Sequence, residues 1–186
     1  MSVQLEHWRF GVDEYHQMLE AGILTEDDRV ELIDGEIIKM SPIGSHHVAS
    51  VNRLTSLLTS KLGSKAIVSI QNPVRLDNYS EPQPDVVVLK PRADFYAGAL
   101  PGPADTLLII EVADSSLNID RKVKLRLYAR AGIPEVWIAN IPEDRIEAHS
   151  EPRIDSYQRV RIATRGESIS CESVPDLALS VADILG

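Results

Sequence analysis

Cysteine is almost absent from this sequence: Cys171 is the only one in 186 residues. An internal disulfide is therefore excluded, and the composition suits a reducing compartment, so we expect a cytoplasmic protein. No apolar run approaches the roughly 18 residues that a membrane span needs, and the start of the chain has no signal-peptide pattern. We therefore expect no contact with a membrane.

Positive charge is also scarce. The chain has 19 Lys and Arg against 28 Asp and Glu, which gives a net charge of −9. Phosphate contact favours basic surfaces, so this balance argues against tight, nonspecific DNA binding without excluding local basic patches. The length and the 44% apolar content fit a globular protein, and no repeat or linker divides the chain. We predict a single domain over residues 1–186.

Several well-known motifs are missing. The sequence contains no P-loop, no Gly-x-Gly-x-x-Gly, no cysteine–histidine zinc spacing and no Gly-x-Ser-x-Gly elbow. Their absence argues against nucleotide hydrolysis, dinucleotide redox chemistry, structural zinc and a serine-hydrolase triad.

The hydrophobic pattern predicts an α/β fold. Two apolar runs around Asp34-Gly35 predict a hairpin in which Glu31 lies opposite Ile38. The strand–helix–strand order between 107 and 140 predicts a crossover in a parallel or mixed sheet. Helices are expected at 11–22, 46–62 and 118–131, strands at 66–71, 73–76, 85–89, 107–112, 134–140, 145–149 and 157–164, a loop at 90–105, and a short closing segment at 177–185.

Two carboxylates stand where buried strands should be apolar. Asp85 opens the run Val86–Leu89, and Glu111 lies near the end of the run 107–112. Burying carboxylates is costly unless they are paired or bind a cation. One interpretation is a Mg²⁺ or Mn²⁺ site for phosphodiester chemistry. The other is a Glu111–Lys124 salt bridge, with Asp85 merely opening a strand. The residues alone favour neither.

Lys124 is predicted to point inward. At about 100° per residue, it falls in the arc that carries Val123, Leu127 and Ala131. Three further basic residues of the helix, Lys122, Arg126 and Arg130, fall on the opposite side. An inward lysine requires a carboxylate or a substrate anion as its partner.

The remaining polar candidates have simpler interpretations. From the sequence pattern alone, Glu31 is expected to be an exposed strand glutamate. His46 and His47 are adjacent and so do not share a helix face, which favours capping or substrate contact over a metal pair. Residues 114–116 (Asp-Ser-Ser) are typical of a turn and helix cap.

Several blocks of the sequence together resemble the Uma-type family of inferred restriction endonucleases, within the PD-(D/E)xK nuclease superfamily. The resemblance covers about residues 10–140. The blocks are Glu31-Leu32-Ile33-Asp34-Gly35-Glu36, Met40-Ser41-Pro42 with His47, Gln83-Pro84-Asp85-Val86, Ile110-Glu111-Val112-Ala113-Asp114-Ser115-Ser116, and Asp120, Lys124, Tyr128-Ala129-Arg130-Ala131-Gly132-Ile133-Pro134-Glu135 with Trp137.

The resemblance implies a restriction-endonuclease-like core, in which helices flank a central mixed β-sheet, and Mg²⁺- or Mn²⁺-dependent hydrolysis of DNA. It implies metal ligation by Asp85 and Glu111, with Lys124 as the catalytic lysine. Glu31 is the implied supporting acid, and His47 and Gln83 are expected to line the site. The superfamily places its lysine two residues after the strand carboxylate. That position is Ala113 here, so Lys124 has to reach the site from a helix.

A metal-dependent DNA endonuclease is therefore the favoured function. The alternative from another class is a catalytically silent nucleic-acid-binding or assembly module on the same fold, which the acidic balance supports. A hydrolase of RNA or of structured nucleic acid is the third alternative. A homodimer is plausible, because two sites cut two strands most simply.

Overall fold

The fold is described by a computed structural model that covers residues 7–25 and 27–186. Most of its regular structure is β-sheet. The strands are β1 Val30–Ile33, β2 Glu36–Lys39, β3 Ile67–Ile70, β4 Val86–Leu89, β5 Thr106–Ala113, β6 Glu135–Asn140, β7 Arg145–Arg153, β8 Ser156–Thr164, β9 Ser168–Ser170 and β10 Ala178–Ser180.

The helices are short apart from one of 18 residues. They are α1 Val12–Glu20, α2 Ser45–Leu62, α3 Leu117–Ile119, α4 Leu125–Arg130 and α5 Val181–Leu185. A π-helical turn, Asp120–Lys124, joins α3 to α4, so the helix predicted at 118–131 is interrupted. Within the described residues, no helix combines the length and the hydrophobicity that crossing a bilayer requires.

The central sheet has six strands in the order β3–β4–β5–β6–β7–β8. Only β5 and β6 pair in parallel, and the chain crosses between them through α3 and α4. This arrangement confirms the predicted strand–helix–strand unit and the mixed sheet flanked by helices. The separate β1–β2 hairpin has the predicted register, with Glu31 opposite Ile38.

Both faces of the central strands are buried, as their apolar runs predicted. On β5, Ile110 and Val112 face the core shared with α2 and α5. Ile109 and Ala113 face the core shared with α4. Because side chains alternate along a strand, Glu111 projects to the same side as Ile109 and Ala113, toward the π turn and α4.

The predicted strand at 73–76 is wrong. Its backbone N–H groups bond outside any ladder: Val74 donates to the Pro82 carbonyl at 3.0 Å and Leu76 to the Ser80 carbonyl at 3.0 Å. Pro73 has no N–H to contribute to a sheet. The sequence pattern also did not predict the short strand β9, which pairs with β10.

Glu135, at the start of β6, ties the end of the chain to the central sheet. Its side chain is fully buried. One carboxylate oxygen accepts hydrogen bonds from Trp137 Nε1 at 2.7 Å and Arg161 Nη2 at 3.1 Å. The other accepts from the backbone N–H groups of Glu172 at 2.7 Å and Ser173 at 3.1 Å. With Cys171 Sγ, which lies 3.4 Å from this second oxygen, five donors converge on one carboxylate.

We therefore expect Glu135→Ala to lower the free energy of unfolding by about 3 kcal/mol, because it leaves buried donors without an acceptor. Urea denaturation measures this change. Glu36→Ala, at an exposed position of β2, is the matched control and should cost less than about 0.5 kcal/mol. Equal losses in the two variants would contradict a stabilising role for the Glu135 network.

Candidate active site

Asp85 and Glu111 meet at one end of the central sheet. Val86 and Ile110 are paired across β4 and β5, so the residues just beyond that pair are neighbours. The Val112 N–H donates to Asp85 Oδ2 at 2.9 Å, and the Asp85 N–H lies 3.5 Å from Glu111 Oε2. The antiparallel register therefore brings together the two carboxylates that the sequence singled out.

Lys124 reaches this pair from the π turn. Its Nζ lies 3.2 Å from Glu111 Oε1 and 3.1 Å from Glu31 Oε2, and the residue is only 6% exposed. The inward orientation predicted for Lys124 is confirmed. Val123, expected on the same packed face, is instead 41% exposed. The π turn makes i→i+5 bonds and so rotates less per residue than the α-helix that the prediction assumed.

Glu31 is buried, so the expectation of an exposed strand glutamate is wrong. It is 3% exposed, because the inner face of the hairpin covers the site. Besides Lys124, its Oε2 accepts a hydrogen bond from the Gln83 N–H at 3.1 Å. Gln83 therefore contributes its backbone to the carboxylate cluster, and it also lines the cavity.

His47 contacts the other carboxylate. Its Nε2 lies 3.0 Å from Asp85 Oδ1, and it lies on the first turn of α2. Its Nδ1 is buried and has no hydrogen-bond partner among residues 7–25 and 27–186. His46 is exposed, which agrees with the prediction that the two histidines do not share a face.

Sequence reasoning assigned no role to two further residues of the site. Tyr128 is fully buried, and its hydroxyl donates to Glu111 Oε1 at 2.6 Å. Asp120 is 3% exposed, lines the cavity, and accepts a hydrogen bond from Ser116 Oγ at 2.6 Å. The Ser116 hydroxyl thus binds a side chain and does not cap the following helix. The sequence signal that could have identified both residues is the spacing of four between Asp120, Lys124 and Tyr128, which places these side chains along one side of the helix.

Burial dominates the electrostatics of the site. It raises the pKa of Glu111 to about 8, although Lys124 and the Tyr128 hydrogen bond oppose the increase. It also raises the pKa of Asp120 to about 6, against the Ser116 hydrogen bond. Burial by itself lowers the pKa of Lys124, but Glu111 and Glu31 more than compensate and raise it above its usual range. Lys124 is therefore the permanent positive charge of the site.

These side chains surround a cavity of about 60 Å³, which has room for a few water molecules or an ion with part of its hydration shell. In the described part of the chain, no three His, Cys, Asp or Glu side chains converge closely enough to hold a metal by themselves. Mg²⁺ commonly binds through one or two carboxylates and takes its other ligands from water and substrate phosphate. Asp85 and Glu111 meet that requirement, so the donor set fits such an ion.

A family model described as "Putative restriction endonuclease" (Uma2) matches residues 12–182. The chain belongs to the Uma2 family. A solved structure, that of a putative nuclease belonging to DUF820 from Anabaena variabilis ATCC 29413, has the same fold, with a TM-score of 0.71 at 16% sequence identity. The similarity covers 95% of this chain and 97% of that one. No curated protein matches the chain.

Of the two interpretations of the strand-end carboxylates in this Uma2-family site, the structure tests the salt bridge, and the metal site stays a prediction. The Glu111–Lys124 salt bridge is present. Asp85 does more than open a strand, since it lies in the same cavity and contacts His47. The site thus combines a compensated ion pair with a second carboxylate that is available to a ligand.

The raised pKa of Glu111 predicts a pH-dependent stability without metal. Its folded pKa of about 8 exceeds the ordinary value of 4.5, so its stabilising protonation is complete below pH 4.5 and is lost as the pH rises through 8. From pH 5 to 9, the wild type should therefore lose stability relative to Glu111→Gln, which has no proton to lose there. A difference of one pKa unit corresponds to about 1.4 kcal/mol.

Urea denaturation in EDTA at each pH measures this difference. The exposed variant Glu36→Gln serves as the control and should follow the wild type throughout. A stability difference between wild type and Glu111→Gln that stays constant from pH 5 to 9 would show that Glu111 does not titrate in this range.

Proposed function

We propose that this protein is a metal-dependent DNA endonuclease that hydrolyses phosphodiester bonds. The observation that carries the proposal is the convergence of Asp85 and Glu111 in one cavity, with Lys124 Nζ 3.2 Å from Glu111. Membership in the Uma2 family supports a nuclease. The relative of the same fold, described as a putative nuclease, supports it as well.

Asp85 and Glu111 would hold the ion, Mg²⁺ or Mn²⁺. Such an ion, when bound, lowers the pKa of a coordinated water and neutralises charge on the phosphoryl group. Five carboxyl groups, of Glu31, Asp85, Glu111, Asp114 and Asp120, line the cavity, and in their ionised forms they repel a phosphodiester unless a cation offsets their charge. The excess of carboxyl groups over cations in the lining of the cavity therefore supports metal dependence.

Lys124 supplies the fixed positive charge. Its two carboxylate partners keep it protonated, so it can stabilise the negative charge that develops on the phosphate during in-line attack. It can also orient the attacking water by hydrogen bonding. Glu31 and Glu111 position its amine, and Tyr128 in turn positions Glu111. Glu31 is thus a positioning residue for Lys124.

His47 has a related task at the other carboxylate. Its contact with Asp85 Oδ1 fixes the rotamer of that side chain, while Oδ2 accepts the Val112 N–H. A preorganised carboxylate loses little conformational entropy when it binds an ion. His47 is therefore assigned to the support of Asp85 and Gln83 to the support of Glu31, and neither to the bond-breaking step.

The proposal predicts Mg²⁺- or Mn²⁺-dependent cleavage of plasmid or duplex oligonucleotide DNA. Asp85→Asn and Lys124→Ala should each lower kcat by at least about 100-fold, because one removes a metal ligand and the other removes charge stabilisation. Lys122→Ala, an exposed lysine on the same π turn, and Asp183→Asn, an exposed carboxylate of α5, are matched controls and should retain activity. Gel-based cleavage assays measure the rates.

Thermal unfolding must show that the variants are folded. Folded Asp85→Asn and Lys124→Ala variants that cleave like the wild type would refute the site assignment. A wild type that binds DNA but cleaves neither DNA nor RNA would favour the silent binding module. A panel of DNA and RNA substrates separates DNA hydrolysis from RNA hydrolysis.

A further inference from the structure

The open end of the β1–β2 hairpin carries two cations at the mouth of the site cavity. Arg29 comes just before β1, and Lys39 is the last residue of β2. The hairpin bonding continues to this end, because the Met40 N–H donates to the Arg29 carbonyl at 2.8 Å. Both residues line the cavity and both are exposed. We call this pair the cationic rim.

Arg29 lies on the same side of its strand as Glu31. Residues two apart on a strand project to one face and are separated by about 7 Å. Glu31 is buried and holds Lys124 inside the cavity, whereas Arg29 is exposed. The hairpin thus leads from the buried lysine of the site outward to a solvent-exposed guanidinium on the same face.

The cationic rim differs from most arginines of the chain, which are neutralised locally. Nine arginines lie within 4.0 Å of a carboxylate oxygen, namely Arg75, Arg92, Arg121, Arg126, Arg130, Arg145, Arg159, Arg161 and Arg165. Neither Arg29 nor Lys39 has such a partner among the described residues. The neighbouring Asp28 is bound to the Thr25 N–H and hydroxyl, both at 2.9 Å.

We propose that the cationic rim binds the phosphate backbone of the DNA strand that enters the site. The inference rests on the proposed nuclease function and adds the substrate contact outside the reacting centre. A DNA strand carries one phosphate per about 3.4 Å of helix axis, so a cation about 7 Å along the hairpin from Glu31 reaches a phosphate one or two nucleotides from the scissile bond. A guanidinium binds phosphate in a bidentate fashion.

The acidity of the chain explains why such a contact is needed. With a net charge of −9, the protein repels a polyanion at long range, and the cavity itself is lined by carboxylates. Arg29 and Lys39, which have no carboxylate partner among the described residues, add positive charge where the substrate would enter. Because they lie outside the reacting centre, they should affect binding, and therefore KM and its dependence on salt, more than kcat.

The test uses the full-length protein with Mg²⁺ and a fluorescent DNA duplex. The double variant Arg29→Ala/Lys39→Ala should raise KM about tenfold, leave kcat within twofold, and reduce the slope of log KM against log salt by about two. The double variant Lys61→Ala/Lys65→Ala is the matched control. It removes the same net charge from exposed positions outside the cavity, and it should change KM less than twofold.

Three results would overturn the proposal. The first is a KM and salt slope for the rim variant equal to those of the control, while the wild type still cleaves DNA; this refutes the rim alone. The second is a fall in kcat with KM unchanged, which places the two residues in the chemical step. The third is a wild type that neither cleaves nor binds DNA, which refutes the proposed function as well. Arg29→Gln/Lys39→Gln repeats the test with side chains of similar length if the alanine variant unfolds below the assay temperature.

Discussion

The buried ammonium group of Lys124, between Glu31 and Glu111, is the interaction on which the site depends. Glu31 comes from the hairpin, Glu111 from the central sheet and Lys124 from the π turn. Removing one member of a buried charge cluster leaves an uncompensated charge, which is strongly unfavourable. The cluster therefore fixes three separate parts of the fold relative to one another. Asp85, like Asp120, has no bond to the lysine.

Sheet geometry and helix geometry contribute different parts of this site. The antiparallel pairing of β4 with β5 places Asp85 beside Glu111, and the Val112 N–H holds the Asp85 carboxylate there. The parallel pairing of β5 with β6 requires a crossover, and that crossover carries Lys124 back over the same end of the sheet. The cavity thus lies where the chain leaves one central strand and returns to the next, a common position for binding sites in α/β proteins.

The sequence was informative wherever one local pattern determined the outcome. The carboxylates at the ends of apolar strands and the inward face of Lys124 could be predicted because burial follows from periodicity. The burial of Glu31 could not, because a four-residue strand does not reveal which of its faces another element covers. The π turn was missed for a similar reason. A helical wheel assumes the same rotation for every residue, whereas the rotation per residue is smaller in the π turn, and Val123 is exposed as a result. The segment 73–76 has strand-like residues, but its N–H groups bond to loop carbonyls.

Ala113, two residues after Glu111, is fully buried in the core beside α4. Because that position holds alanine, a search of the sequence for a lysine two residues after the strand carboxylate fails here. A search in space finds an ammonium 3.2 Å from the strand carboxylate. For the proposed site, a definition by sequence spacing and a definition by distance in space therefore give different answers, because the lysine lies on the crossover and not on the strand.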